Sequence, residues 1–286
     1  MKQAKITLEH VSYTYSKGTP FEIRALDDVS LDIHDGTITG IIGHTGSGKS
    51  TMVQLFNGLT RPMEGRILLD GVDIWEKPKE IGKIRFRVGL VMQYPEYQLF
   101  EETVEADIAY GPKNMGLDEE EIQRRVADSA RFVGLSPETL KKSPFDLSGG
   151  QKRRAALAGI LAMRPEVLVL DEPAAGLDPM GRDAILTGIC NYREESGATV
   201  IIVSHSMEDM ARYCDEIVVM DHAKVRMCGE RDTIFARSDE LIDAGLDIPE
   251  ITKLIWLLRA RGIDVDRSIY TVDRAEQELL RLFRKS

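Results

Sequence analysis

The chain has 286 residues, with 47 acidic against 37 basic side chains and a formal net charge of -10. That length suffices for one compact catalytic domain plus an appendage, and the acidic balance argues against a general grip on nucleic-acid phosphates. Cys190, Cys214 and Cys228 lie far apart with no Cys-x-x-Cys pair, which suggests neither a disulfide framework nor a zinc knuckle and suits a reducing cytosol. The opening "MKQAKITLEH" lacks the apolar core of a signal peptide, and no apolar run approaches the ~18 residues that span a bilayer.

In chain order, "KITLEHVSYTY" and "VSLDI" alternate apolar and polar residues and predict two strands around a loop holding Gly18 and Pro20. "TITGIIG" predicts a buried strand running into a glycine loop, and "STMVQLFNGL" a helix closed by Asn57 and Gly58. Between them, Gly43-His44-Thr45-Gly46-Ser47-Gly48-Lys49-Ser50 fits G-x-x-x-x-G-K-[ST]. Glycines there let backbone N–H groups converge on phosphate oxygens without Cβ atoms intervening. The helix N-terminus adds about half a positive charge and Lys49 a full one near the β and γ phosphates. Ser50 is placed to offer a hydroxyl to Mg²⁺, with Thr51 beside it.

Further along, Asp118 and Glu121 predict a capping box ahead of "IQRRVADSARFV". Ile122, Val126, Ala130 and Val133 share one face of that helix, Gly134 closes it, and Arg124 and Arg125 belong to a solvated face. "LSGGQKRRAALAGILAMRP" then places Ser148 as the cap of a long helix, with Gly149 and Gly150 baring its first N–H groups beside Gln151. This is a second phosphate receptor. One chain holding one nucleotide seldom needs two so far apart, so this one is expected to close on the nucleotide of a neighbouring chain. "PEVLVLDEP" predicts a buried parallel strand, Val167 to Leu170, delivering Asp171 as a Mg²⁺ ligand and Glu172 as the group that polarises the attacking water.

With the phosphate loop, "LSGGQ" and "LVLDEP" in this order, the chain resembles the nucleotide-binding subunits of ATP-binding cassette (ABC) transporters over residues 1 to about 230. The resemblance implies ATP and Mg²⁺ as cofactors, with Glu172, His205 and Gln93 in catalytic positions and Ser50, Gln93 and Asp171 toward the metal. It implies an aromatic ring on the adenine, Tyr15 in preference to Tyr13, and a contact of Asp178 in "AAGLDP" with the opposite subunit. Gln93 in "GLVMQYPE" would link the core to a helical subdomain, and His205 after "TVIIVS" would read the γ-phosphate.

"YPEYQLFEETV" and "DEPAAGLDPMGR", with Ala174 where many relatives have Thr, are similar to energy-coupling factor (ECF) transporter ATPases, and in particular to the second of their paired ATPase subunits. The expected fold is α/β, a phosphate-loop core with a mixed, mainly parallel sheet. An N-terminal antiparallel subdomain, a helical subdomain at about 95–165 carrying the signature, and a helical extension at 230–286 would complete it. Two amphipathic stripes mark that extension, Ile251, Leu254, Ile255 and Leu258, then Ala275, Leu279 and Leu282. The resemblance implies that the extension adds to pairing with a second ATPase subunit, in a heterodimer in preference to a homodimer; packing of the stripes on the chain's own core is the alternative. It further implies a transmembrane coupling subunit, a membrane-embedded substrate-binding subunit for vitamins or transition-metal ions, and a place on the cytoplasmic face of the membrane. The alternatives are a soluble ABC-type ATPase acting on DNA or ribosomes, without the long insertions or fused cassettes usual there, and a regulatory module without turnover.

Overall fold

A computed structural model of the chain describes residues 3–283. β1 (Ala4–Tyr15) and β2 (Ile23–His34) pair antiparallel, Leu8 opposite Leu31 and Tyr15 opposite Ile23. β3 (Ile38–Gly43), buried throughout, leads through the glycine loop into α1 (Lys49–Phe56), which ends at Asn57 with Gly58 in the left-handed region. β4 (Glu64–Leu69) and β5 (Val72–Asp73) complete a four-stranded antiparallel sheet of order β2-β1-β4-β5. After α2 (Ile81–Arg87) and β6 (Val88–Val91) comes the helical segment, α3 (Val104–Asn114), α4 (Glu119–Phe132), α5 (Pro137–Leu140) and α6 (Gly149–Leu161). β7 (Val167–Asp171), α7 (Pro179–Ser196), β8 (Thr199–Val203), α8 (Met207–Tyr213), β9 (Glu216–Asp221) and β10 (Lys224–Glu230) follow. The second sheet runs β10-β9-β3-β8-β7-β6, parallel from β9 to β6 with β10 antiparallel at its edge. The expected mixed α/β class is borne out.

Burial on both faces explains the unbroken apolar runs. Along β7, Val167 and Val169 face the antiparallel sheet and α1, while Leu168 and Leu170 face the helices. β8 divides the same way, Ile201 and Val203 against Val200 and Ile202. Each such side chain contributes roughly 1.5–3 kcal/mol by leaving water, which makes the parallel sheet the rigid layer between two cores.

Two local expectations need correction. Asp118 accepts from the Glu121 N–H at 2.9 Å, but the Glu121 carboxylate turns to Arg125 at 2.6 Å, so the box is only half made. Arg125 is not a solvated side chain. Its guanidinium also donates to the Met163 carbonyl at 3.1 Å, satisfying an acceptor left open past the end of α6.

Beyond residue 230, α9 (Arg231–Phe235) and α10 (Ser238–Asp243) put Ile234, Phe235 and Leu241 into the same core as the helical segment. From Glu250 onward, α11 (Glu250–Ala260) and α12 (Val272–Phe283) enclose a small core of their own, Ile255, Val265, Ile269 and Ala275, with Ile251, Leu258 and Leu282 against it. Of the two expected stripes, Leu254 stays exposed. Tyr270 joins the two cores. Its buried ring stacks on Phe235 at 5.1 Å, its hydroxyl meets Asp232 and Arg231, and the Arg274 guanidinium lies over its face. Tyr270→Ala is expected to cost about 3 kcal/mol in urea unfolding and to raise amide exchange across residues 250–283. Unchanged exchange there would mean that the extension is held by other contacts.

Candidate active site

The site is assembled by strand register. Ile41 of β3 lies opposite Val203 of β8, and Val203 opposite Asp171 of β7, so three parallel strands end on one line. Just past it come the glycine loop, Glu172 and His205. This is the carboxyl edge of the sheet, where open α/β folds bind ligands.

The loop's glycines have separate steric causes. Gly48 takes φ 106° at the head of α1, where a Cβ would run into the Ala25 carbonyl oxygen. A Cβ on Gly43 would meet the Met220 carbonyl and the Ser47 hydroxyl, each at 2.5 Å. The loop is thus pressed onto the sheet with its backbone left open. Each of α3 to α8 begins on a capping side chain, Thr103, Asp118, Ser136, Ser148, Asp178 and Ser206 in turn. The head of α1 receives none from the described residues, and its N–H groups remain free to take an anion.

Lys49 is buried and folds back across the loop, donating to the Gly43 carbonyl at 2.6 Å and the His44 carbonyl at 3.0 Å. Burial lowers its pKa, against the pull of Glu172 and Asp171. Burial raises the pKa of Asp171, opposed by a hydrogen bond from Ser50 and the charge of Lys49. Glu172 is raised by burial first and by the neighbouring Asp171 second. The backbone of Glu172 sits at φ 53°, held by its N–H to the Val203 carbonyl at 2.9 Å. Such a conformation costs of order 1–3 kcal/mol in a non-glycine residue and is characteristic of functional positions. Its buried Oε1 has no hydrogen-bond partner among the described residues, and His205 Nε2 stands 3.5 Å away. Burial, then Lys49, lowers the pKa of His205.

These groups surround a cleft of about 460 Å³, to which Thr45, Gly46, Gly48, Ser50 and Thr51 contribute from the loop and Gln93 from beyond β6. Tyr15 also lines it, its hydroxyl 3.1 Å from the Thr51 hydroxyl, whereas Tyr13 packs on the core between the sheets with its ring edge-on to Tyr15. The oxygen donors Ser50, Gln93 and Asp171 form a set that a hard divalent cation could take.

Other expected residues lie outside this cleft. Ser47 is buried beneath the loop, and the His44 ring turns toward Asp221. Ser148 and Gln151 form a complete capping box, Ser148 N–H to Gln151 Oε1 at 3.0 Å and Gln151 N–H to Ser148 Oγ at 3.3 Å. With Gly149 and Gly150 they stand at the surface-facing start of α6. Asp178 caps α7 through the Gly181 N–H at 2.7 Å. None of these four, nor Asp178, reaches the cleft of its own chain.

Sequence reading missed two arginines. Arg153, buried on α6, grips Glu96 at 2.9 and 3.1 Å beyond Gln93 and donates to the Ala175 carbonyl beyond Glu172. Arg182 on α7 takes Asp209 on α8 at 2.8 and 3.0 Å. Arg153 thus ties the segment after β6 to the loop after β7, and Arg182 ties α7 to α8. The basic run "QKRR" was the only available hint of Arg153.

The ABC transporter family model matches residues 26–175, across the phosphate loop, the signature and both carboxylates. The chain belongs to the ABC transporter family. An energy-coupling factor transporter ATP-binding protein, EcfA2, of Clostridium acetobutylicum is 52% identical over 278 residues, 97% of each chain. Its namesake in Clostridium perfringens is 50% identical over 282 residues, 98% of this chain and 99% of that one. The solved structure of cbiO1 from Clostridium perfringens, described as part of the ABC transporter complex cbiONQ, superposes with a TM-score of 0.76 at 38% identity, covering 89% of this chain and 99% of that one. The ATP-binding cassette MJ0796, solved as a dimer in a post-hydrolysis state with ADP and Pi, gives 0.71 at 28% identity over 79% of this chain and 98% of its own. Within its family the chain is therefore an ATPase of the ECF importer type.

The buried carboxylates make a linkage test. Because the folded-state pKa of Glu172 lies above its unfolded value, its ionised form costs stability at neutral pH. That cost falls away as pH drops through the raised value and is absent below about 4.3. Nucleotide-free Glu172→Gln is expected to melt higher than the parent at pH 7, with the gap closing toward pH 4. A gap that is absent or widens on acidification would mean that the carboxylate is stabilised rather than desolvated.

Proposed function

We propose that this ATPase works as one of two subunits that sandwich ATP, with the cleft of one chain closed by Ser148, Gly149, Gly150 and Gln151 of the other. The observation that carries the reading is that Lys49, Asp171, Glu172 and His205 converge on one cleft while the signature, a second exposed helix head, stands apart from it. Asp178 would then face the partner across the same junction.

In this reading Lys49 leaves its two loop carbonyls for the β and γ phosphates, and the uncapped head of α1 cradles them with Gly43 to Thr51. Tyr15 supplies a ring for the adenine. Ser50, Gln93 and Asp171 would hold Mg²⁺, which supplies neutralisation of phosphate charge when bound. Glu172, whose buried Oε1 has no hydrogen-bond partner among the described residues, orients and polarises the attacking water, and His205 reads the γ-phosphate.

In this reading closure is felt by a membrane partner; among the described residues no helix is long and apolar enough to cross a membrane. After Gln93 the surface is aromatic, with Tyr94 and Tyr97 exposed and with exposed Phe100 and Tyr110 lining a groove of about 340 Å³. We assign that groove to the transmembrane coupling subunit, placing the chain peripherally on the cytoplasmic face. A separate membrane-embedded subunit would select the vitamin or transition-metal ion imported. The extension at 230–286 adds to ATPase pairing through exposed Leu254, Leu257 and Phe283.

Purification of the protein from its native membrane in mild detergent, followed by mass spectrometry and phosphate-release assay, tests this. A second ATP-binding subunit and integral membrane proteins are expected, with Glu172→Gln lowering turnover roughly 10²- to 10⁴-fold while retaining ATP. Recovery of ribosomal or DNA-bound partners alone, or undiminished turnover, would overturn it.

A further inference from the structure

A second cluster of ligating side chains, His44, Asp221 and His222, lies at the start of the phosphate loop, and none of the three lines the cleft. Parallel pairing sets Gly43 of β3 opposite Met220 of β9, so the next residues, His44 and Asp221, emerge side by side. The hairpin from β9 to β10 then turns through His222 and Ala223, at φ 44° and 64°. Both residues of this two-residue turn are in the left-handed region, where Asn and Gly are usual, and the strained turn brings His222 back to Asp221.

The donor atoms are ordered by their own partners. His44 Nδ1 lies 2.9 Å from the Thr45 carbonyl, which can only accept, so Nδ1 carries the proton and Nε2 is the nitrogen that offers a lone pair to a metal in the neutral ring. That Nε2 is buried, has no hydrogen-bond partner among the described residues, and faces Asp221 Oδ1 at 3.2 Å. His222 Nε2 is 3.7 Å from the same oxygen, and the three ligand atoms all lie within 4.8 Å of one another. Arg226 holds the other Asp221 oxygen at 3.1 Å, which leaves Oδ1 aimed at the two rings. A tetrahedral ion with bonds of 2.0–2.1 Å sets its ligands about 3.3 Å apart, close to the two spacings around Oδ1. The N–H of His44 to a backbone carbonyl is the outer contact that orients metal-binding imidazoles.

We propose that His44, Asp221 and His222 bind a divalent transition-metal ion of the Zn²⁺ type, with water as the fourth ligand. Two imidazoles and one carboxylate select such an ion over Mg²⁺, whose preference is for oxygen donors, so this site and the catalytic metal set do not compete. The ion clamps the first turn of the phosphate loop to the sheet-edge hairpin. Because the His44 carbonyl is one of the two acceptors of Lys49, the clamp bears on the loop's nucleotide-free form.

The test is titration of the untagged, metal-free full chain with Co²⁺ in excess Mg²⁺, read by visible absorption and calorimetry. The site predicts one equivalent with the intense bands of a four-coordinate ion. His222→Ala, at an exposed turn position, should weaken binding at least about tenfold, the scale on which losing even an outer partner is felt. His10→Ala, on an exposed histidine elsewhere, should leave it unchanged. Absence of a four-coordinate spectrum, or equal affinity in His222→Ala, overturns the proposal. The latter would leave only a proton shared between His44 and Asp221. None of these readouts depends on ATP turnover.

Discussion

The parallel register of β3, β8 and β7 is the constraint on which the rest of the molecule depends. Because Ile41, Val203 and Asp171 lie in one row, the phosphate loop, the paired carboxylates and the histidine arrive together at one edge. The row is enforced by side chains that alternate between two dry cores. A slip of one residue would exchange Leu168 and Leu170 for Val167 and Val169 on the helical face and turn Asp171 away from Ser50. Local chemistry at the site is thus underwritten by burial far from it.

What that register assembles is unfavourable in isolation. A buried lysine, two adjacent desolvated carboxylates, a strained glutamate backbone and an uncapped helix head all cost stability in the free chain. Each cost is of the kind that a polyphosphate with its cation relieves, by supplying negative charge to Lys49 and the helix head and positive charge to the carboxylates. Stability has been spent where the ligand can return it. Buried Arg153 and half-exposed Arg182 do not line the cleft; the first ties the segment after Gln93 to the one after Glu172, and the second ties α7 to α8 just past His205.

Much of this was legible in the sequence because its chemistry is local. The phosphate loop, the apolar strand ending in Asp171 and Glu172, and the Ser148 cap each depend on neighbours within a few residues. Contacts between distant segments carry no such pattern. The pairing of Arg153 with Glu96 spans 57 positions and that of Arg182 with Asp209 spans 27, and neither follows a helix or strand period. The same holds for Arg125, whose carbonyl partner Met163 lies 38 positions away, past the end of α6. Tyr13 and Tyr15 could not be separated by alternation alone, because irregular pairing with β2 on either side of Tyr13 shifts the faces. Nor could the apolar pattern beyond residue 230 say that α9 and α10 join the main core while α11 and α12 build a second one.

Nucleotide binding at the cleft beyond the end of β3 is the property on which every role assigned to these residues depends. Calorimetric titration of the full chain with Mg-ATP, side by side with Lys49→Ala, asks this directly. One nucleotide per chain, lost in the variant while its fold and melting behaviour persist, is the predicted result. Undiminished binding by Lys49→Ala would place the nucleotide elsewhere and contradict the reading of this site.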